Sequence, residues 1–138
     1  MGAWSEESFG NDMACDWAGM FSESPSIRMV EETIDVVLNE AEYLESDEAC
    51  ECIAACEVVA RLKGNWGLRD AYSESIDRWV ETSNEKPDFN LVDKAIKAID
   101  RIMSENSELL ELWSDSDDFL KSWKMRMDDL RARVSGYQ

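Results

Sequence analysis

The sequence contains no histidine, two prolines and six glycines among its 138 residues. Without histidine, the chain lacks the side chain that most often serves as a general base near neutral pH and as a metal ligand. A di-iron site of the helix-bundle type, which needs Glu-x-x-His motifs, is excluded for the same reason. No run of about 18 apolar residues occurs, so no membrane-spanning helix is expected. We therefore expect no enzymatic activity, no cofactor and no metal site.

Basic side chains are scarce in the first half of the chain. Residues 1–60 hold 15 acidic side chains and one basic side chain, Arg28, a net charge of −14, whereas residues 61–138 hold 16 and 13, a net charge of −3. Because repulsion among like charges destabilises a compact state, this concentration indicates a surface that binds a basic partner. A surface adapted only for solubility is the alternative. In either case, the acidic surface would repel the phosphates of nucleic acids and anionic lipids, so direct binding of either is not expected.

The four cysteines show no C-x-x-C pair, which is the spacing typical of a zinc site. Besides Cys15, they are Cys50, Cys52 and Cys56, and on a helix the last two would share a face while Cys50 points elsewhere. We interpret them as small buried hydrophobic side chains in a reducing compartment. The acidic residues 1–7 lack the apolar segment of a secretory signal, so a soluble, cytoplasmic protein is expected.

Apolar residues recur at helical spacing, and no alternation of period two is long enough for a strand. With 44% hydrophobic residues, we predict an all-α fold, a compact bundle of six or seven helices forming one domain over residues 1–138. Asn11, Ser46 and Asn90 are predicted to start helices, and Gly64 to end the third. That third helix is apolar almost all round over residues 53–60, which predicts a central position. The expected helices span about 12–21, 26–44, 47–63, 73–82, 90–103, 108–113 and 115–135.

The second predicted helix has one apolar and one acidic face. The apolar stripe comprises Ile27, Val30, Ile34, Val37, Leu38, Ala41 and Leu44. Arg28 is the only basic residue of this helix, and the like-charge spacing of Glu31 and Asp35 costs it about 0.2–0.5 kcal/mol. A cost of this kind favours a role in binding. We predict as partner-binding residues Glu31, Glu32, Asp35 and Glu42, extended at the start of the next helix by Glu48 and Glu51.

Three stretches of the sequence resemble a known family. The first lies in the opening 17 residues, with Met1-Gly2-Ala3-Trp4, Phe9-Gly10-Asn11-Asp12 and Ala14-Cys15-Asp16-Trp17. These resemble the M-G-x-W-G-x-G-x-F-x-N-D-x-A-x-D-W opening of the bacterial domain-of-unknown-function 4259 family, from which Ser5 and Glu7 depart. Residues 54–60 resemble its A-A-E-V-V-A segment, and Trp113 and Trp123 its closing helix. The resemblance implies an all-helical bacterial protein and no established activity.

Two further motifs have competing interpretations. Residues 115–118 begin like a calcium-binding loop, but Leu120 replaces the required glycine and Arg126 the required glutamate. A helix start capped by Ser114 or Ser116 is predicted there instead. Trp4 and Trp17 are a candidate aromatic pair for peptide binding, and the alternative is that both are core residues. Asn11 and Asp16 are a candidate polar ligand site, and the alternative is that they cap the first helix. Trp4, Asn11 and Asp16 mark the second candidate interface.

The acidic surface leads to three functional hypotheses. The first is an immunity protein or antitoxin that neutralises a basic toxin or nuclease, because an acidic binder attracts such a partner and covers its phosphate-binding surface. The second is a nucleic-acid mimic of phage or plasmid type that inhibits a host DNA-binding or defence protein. The third is a small-molecule binder or an enzyme of unknown type.

Overall fold

The computed structural model describes residues 6–136, which form seven α-helices and no β-strand. The all-α prediction is confirmed. The helices are α1 (Asp12–Glu23), α2 (Ile27–Leu38), α3 (Ser46–Leu62), α4 (Glu74–Thr82), α5 (Phe89–Ile102), α6 (Glu108–Trp113) and α7 (Asp117–Ser135). Within residues 6–136, no helix is long and apolar enough to cross a membrane.

Helix α3 lies at the centre of the bundle, as its uniform apolarity predicts. It contacts each of the six other helices, and 13 of its 17 residues are buried. Ala54, Ala55 and Ala60 are fully covered, and their small side chains allow neighbouring helices to approach closely. The three cysteines of α3 are buried and Cys15 is half-buried, all four as free thiols, so burial of the three on α3 is confirmed.

Residues distant in sequence form hydrogen bonds with backbone groups at the start of α3 and the end of α7. At the start of α3, the Ser46 N–H donates to Glu108 Oε1 at 2.9 Å. At the end of α7, Lys63 Nζ donates to the carbonyl oxygens of Val134 and Ser135 at 2.8 and 3.0 Å. Asn65 Nδ2 donates to the carbonyl oxygen of Arg133 at 2.9 Å. Backbone groups that a helix leaves unpaired at its ends are thus satisfied by other elements.

Several predicted helix boundaries are confirmed. Asn11 caps α1, since its Oδ1 accepts from the Ala14 N–H at 2.8 Å. Ser116 caps α7 in the same way. Gly64 follows the last residues of α3 with φ +89°, a left-handed conformation that glycine adopts without strain. The cap interpretation of Asn11 is therefore correct.

The second helix is shorter than predicted. Helix α2 ends at Leu38, whereas the apolar spacing predicted continuation to Leu44. That prediction was wrong because Leu44 is buried by another contact: its N–H donates to Asn106 O, and its carbonyl accepts from the Glu108 N–H, both at 2.8 Å. Ala41, which was assigned to the apolar stripe, is exposed.

Two predicted caps and one core position are also wrong. Asp88, not Asn90, caps α5, because its Oδ1 accepts from the Leu91 N–H at 2.8 Å. Ser46 begins α3 and provides no side-chain cap. Phe119, whose spacing predicts an inward direction, is 56% exposed in the first turn of α7. Its ring packs edge-to-face on a tryptophan 6.4 Å away instead of entering the core.

Candidate functional site

The predicted acidic face of α2 is partly neutralised by a lysine from α5. Lys94 Nζ lies 2.8 Å from Glu31 Oε2 and 3.1 Å from Asp35 Oδ1. Hydrogen bonds to these two carboxylates raise the pKa of Lys94. Arg28 is the only basic residue of α2 itself, but Lys94 supplies this face with a second counter-charge through a contact between residues 63 positions apart in sequence. Glu31 and Asp35 contribute to packing α2 against α5.

The other two predicted residues of this face have separate environments. Glu32 pairs with Arg28 at 3.1 Å on the exposed side of α2. Glu42 is exposed in the connection after α2, where its carbonyl oxygen accepts from Arg101 Nη2 at 3.1 Å. Because α2 ends at Leu38, Glu42 does not share a helical face with Glu31 and Glu32. The predicted patch is thus divided.

Glu48 and Glu51 belong to a different acidic surface. The pairing of Leu44 with Ser107 places the start of α3 beside the start of α6. Tyr43 Oη donates to Glu111 Oε1 at 2.8 Å across the same junction. We call the resulting surface the α3-start acidic patch, and its six members are Glu45, Asp47, Glu48, Glu51, Glu108 and Glu111.

The carboxylates of the α3-start acidic patch help to raise the pKa values of Glu51 and Tyr43. Burial, followed by the charges of Glu48 and Asp47, raises the pKa of Glu51. The hydrogen bond to Glu111, with smaller contributions from burial and nearby carboxylates, raises the pKa of Tyr43 to about 12. None of the six carboxylates forms an ion pair with a lysine or arginine of residues 6–136. Arg101, in the last turn of α5, donates only to backbone carbonyl oxygens, those of Glu40, Glu42, Glu105 and Asn106.

The thiol next to this patch is held in its protonated form. Burial, with the charges of Asp47, Glu51 and Glu108, raises the pKa of Cys50 to about 12. A thiolate is the reactive and metal-binding form of cysteine, so Cys50 is unsuited to either role at neutral pH. Over the described range 6–136, no group of three or more cysteine or acidic side chains is arranged to hold a metal ion.

A buried ionic network lies at the other end of α3, and sequence analysis did not predict it. The Glu57 carboxylate is 3% exposed and accepts from Arg61 of the same helix. Arg133 of α7 reaches it with two nitrogens, at 3.0 and 2.9 Å, and Ser8 Oγ donates to it at 2.5 Å. Burial would raise the pKa of Glu57, but Arg133, Arg61 and Ser8 outweigh it and lower that pKa. The carboxylate is therefore ionised at neutral pH.

Arg61 extends this network to α4. It is 1% exposed, and its Nε donates to Asp77 Oδ1 at 2.7 Å while Nη2 donates to the Leu68 carbonyl at 2.6 Å. The guanidinium lies 5.7 Å from the Phe9 ring centroid and 5.8 Å from that of Trp66. No buried side-chain nitrogen or oxygen in the described part of the chain lacks a partner. The signal in the sequence was a Glu57–Arg61 pair at i, i+4 spacing inside an apolar helix.

A cavity of about 360 Å³ opens beside this network. Residues 7–10, Glu57 of α3 and the connection between α3 and α4 contribute to its lining. Among residues 6–136, the lining side chains include three carboxylates and no lysine or arginine. The lining in this part of the chain is Glu7, Ser8, Phe9, Gly10, Glu57, Leu68, Asp70 and Tyr72.

The structure describes three of the four residues of the second predicted candidate site. Trp4 lies outside the described residues. Asn11 caps α1, and Asp16 is exposed on the same helix. Trp17, the other tryptophan of the opening motif, is 2% exposed and donates to Thr33 Oγ1 at 2.9 Å. For Trp17, the core interpretation is therefore correct.

Comparison with known proteins adds a family but no activity. No significant match is found among curated proteins or among solved structures. The model of the family described as "Domain of unknown function (DUF4259)" matches residues 2–126. This match spans most of the chain and agrees with the resemblance seen in the sequence. The chain therefore belongs to the DUF4259 family.

Proposed function

We propose that the protein binds and inhibits a basic protein through the α3-start acidic patch, as an immunity protein or antitoxin neutralises a toxin or nuclease. The observation that carries this proposal is the absence of a cation: among residues 6–136, no lysine or arginine pairs with any of the six carboxylates. The role is one of binding without catalysis, in the cytoplasm. Basic nucleases suit such a surface because they carry positive charge to bind phosphates.

Helix stability alone explains only part of this surface. Asp47 and Glu48 lie in the first turn of α3, and Glu108 and Glu111 in the first turn of α6. Carboxylates there are favoured by the positive end of the helix dipole, by about 0.3–1 kcal/mol each. Glu51 is a full turn further along α3, where burial, followed by the charges of Glu48 and Asp47, raises its pKa and so disfavours its charged form. A cationic partner would offset the repulsion from Glu48 and Asp47.

The patch also carries an aromatic side chain suited to an interface. Tyr43 is 43% exposed and is held in place by its hydrogen bond to Glu111. Tyrosine is enriched among the residues that contribute most to protein binding energy. The carboxylates around it would accelerate association with a basic protein by long-range attraction, an effect that salt weakens.

The test is inhibition of a basic protein encoded beside this chain's gene. Association rates would be measured at about 50 mM and about 300 mM salt, between which screening changes strongly. Replacing three patch residues, Glu45→Gln/Glu48→Gln/Glu51→Gln, should slow association about tenfold or more. The matched control removes three charges from the start of α7, Asp115→Asn/Asp117→Asn/Asp118→Asn, and should change the rate much less.

Two results would overturn this proposal. Equal slowing by both triple variants would mean that only net charge matters and that the patch is an ordinary solvated surface. Tight binding that is unaffected by the patch variant would place the interface elsewhere. Inhibition of several unrelated DNA-binding proteins would instead support the nucleic-acid mimic.

A further inference from the structure

We propose that the cavity beside Glu57 receives an arginine or lysine side chain presented by the basic partner. This inference rests on the proposed function and adds a second contact to it, at a site remote from the α3-start acidic patch. Glu48 and Glu57 are nine residues apart on α3, which corresponds to about 14 Å along the axis and opposite faces of the helix. The two sites can therefore be tested separately.

The size and charge of the cavity fit a cationic side chain. Its volume of about 360 Å³ falls within the range of pockets that enclose small ligands, roughly 300–1,000 Å³. Glu7, Glu57 and Asp70 supply three carboxylates to its lining, and no lysine or arginine of residues 6–136 lines it. Arg61 and Arg133 neutralise Glu57, and Arg126 lies 3.6 Å from Glu7. Asp70 is thus the carboxylate of this lining that pairs with no lysine or arginine of residues 6–136, and it can attract a guanidinium or ammonium group.

The carboxylates have different roles in this site. Each oxygen of Glu57 already accepts two hydrogen bonds, and two arginines compensate its charge, so Glu57 forms part of the wall and does not bind the ligand. Asp70 uses Oδ1 to accept from the backbone N–H groups of Tyr72 and Ser73, at 2.9 and 3.2 Å. Its Oδ2 accepts no hydrogen bond from residues 6–136. Asp70, which is exposed at the mouth, is thus the group that can bind the cation directly.

Further negative charge lies beside the mouth of the cavity. Burial raises the pKa of Cys15, and the charges of Asp12, Asp16 and Asp70 raise it further. These three carboxylates therefore act on one thiol, whose Sγ lies 3.3 Å from the carbonyl oxygen of the lining residue Phe9. They come from the start of α1 and from the connection after α3, so the fold brings together acidic groups more than 50 residues apart. Their combined field would draw a cation towards the mouth.

The rim of the cavity indicates that the cation belongs to a protein. Leu68 is 56% exposed and Tyr72 is 54% exposed, and both line the cavity. A free small cation inside the cavity would leave the side chains of Leu68 and Tyr72 exposed to water. A protein that inserts one side chain into the cavity would cover Leu68 and Tyr72 with the residues around that side chain, as interface residues surround a central anchor. The Tyr72 ring can also contribute a cation–π contact.

The first experiment uses a small probe and needs no identified partner. N-acetyl-arginine N-methylamide is titrated into the full chain, and the amide signals are followed by two-dimensional NMR. We expect shifts at Ser8, Gly10, Leu68, Asp70 and Tyr72, with a dissociation constant on the order of 1 mM. The citrulline analogue, which has the same shape without the charge, should cause no comparable shifts. Equal binding of both probes, or no shifts at about 20 mM arginine probe, would overturn the proposal.

A pair of variants tests the role of the carboxylate at the mouth. Asp70→Asn keeps the oxygen that accepts from the two backbone N–H groups and removes the charge. Glu85→Gln removes one charge from the exposed connection between α4 and α5. We expect Asp70→Asn to raise the dissociation constant of the arginine probe about fivefold to tenfold, since hydrogen bonds to charged groups are stronger than those between neutral groups. An equal effect of Glu85→Gln would mean that the probe responds only to the net charge of the protein, and this would contradict the proposal.

The second experiment uses the partner identified by the inhibition test. A double-mutant cycle between Asp70→Asn and each partner Arg→Gln or Lys→Gln variant should show coupling for one partner residue, and Glu85→Gln should show none. Partner affinity unchanged by Asp70→Asn, with the probe still bound, would assign the cavity to a free small cation and overturn this inference. If only the α3-start patch variant loses partner binding, the proposed function is supported and the role of the cavity in partner binding is contradicted.

Discussion

Replacing Glu57 by glutamine should destabilise the protein strongly, because the carboxylate is the shared partner of two arginines. Glutamine has nearly the same shape, so packing around α3 is preserved. Its amide nitrogen, however, is a donor and would face the donors of Arg61 and Arg133. Arg61, which is 1% exposed, would keep only Asp77 as an ion-pair partner.

The expected magnitude follows from the burial of this network. Removing one partner of a buried ion pair costs about 3–5 kcal/mol, because the other charge is left uncompensated. Asp129 gives a matched control, since it pairs with the same Arg133 at 2.8 Å but is 55% exposed. Asp129→Asn should cost at most about 1 kcal/mol, as for other surface ion pairs. The difference between the variants isolates the effect of burial.

Urea unfolding at pH 7, followed by tryptophan fluorescence and circular dichroism, measures both values. With a slope of about 2 kcal/mol per molar urea, Glu57→Gln should lower the midpoint by about 1.5–2.5 M. The lowered pKa of Glu57 means that its contribution is present above the unfolded-state pKa and is lost as pH falls through the folded-state pKa. The gap between wild type and Glu57→Gln should therefore shrink below about pH 4. A cost equal to that of Asp129→Asn would refute the reasoning.

Three further changes have defined outcomes. Glu31→Lys/Asp35→Lys should lower the melting temperature, because both lysines would face Lys94, whereas wild-type stability in thermal unfolding would contradict the ion pairs described here. Glu51→Gln should raise the free energy of unfolding at pH 7 by a few tenths of a kcal/mol, and this gain should diminish as pH falls, since the raised pKa of Glu51 makes protonation relieve the same repulsion. Val58→Asp should unfold the protein, because an unpaired buried charge costs several kcal/mol, about 3–5; a helical, folded variant by circular dichroism would disprove the central position of α3.

Local sequence patterns predicted those features of the fold that depend on neighbouring residues. The 3.6-residue spacing of apolar side chains predicted the helices, and the apolar run over residues 53–60 predicted the burial of α3. Caps such as Asn11 and the helix end at Gly64 depend on residues within one turn, so their chemistry is visible in the sequence. The all-α prediction has the same basis.

Contacts between distant residues account for the errors. Leu44 fits the apolar stripe of α2 by spacing. Its backbone, however, forms hydrogen bonds with the residues on either side of Ser107, and α2 ends before it. Lys94 approaches Glu31 and Asp35 only because α2 packs on α5. The candidate sites depend on the same kind of contact, since nothing local in the sequence brings Glu108 to Glu48 or Asp70 to Glu7. Only Glu57 and Arg61 had a local signal.

The distant caps at the start of α3 and the end of α7 have a consequence for local opening. Glu108 can satisfy the Ser46 N–H only while α6 is in place, and Lys63 and Asn65 can cover the end of α7 only while α3 is complete. Neither helix end can fray without exposing groups that another element holds, so each end should open together with its partner. Native-state hydrogen exchange should show two cooperative units, the first turn of α3 with α6 and the last turn of α7 with the end of α3, each with one opening free energy.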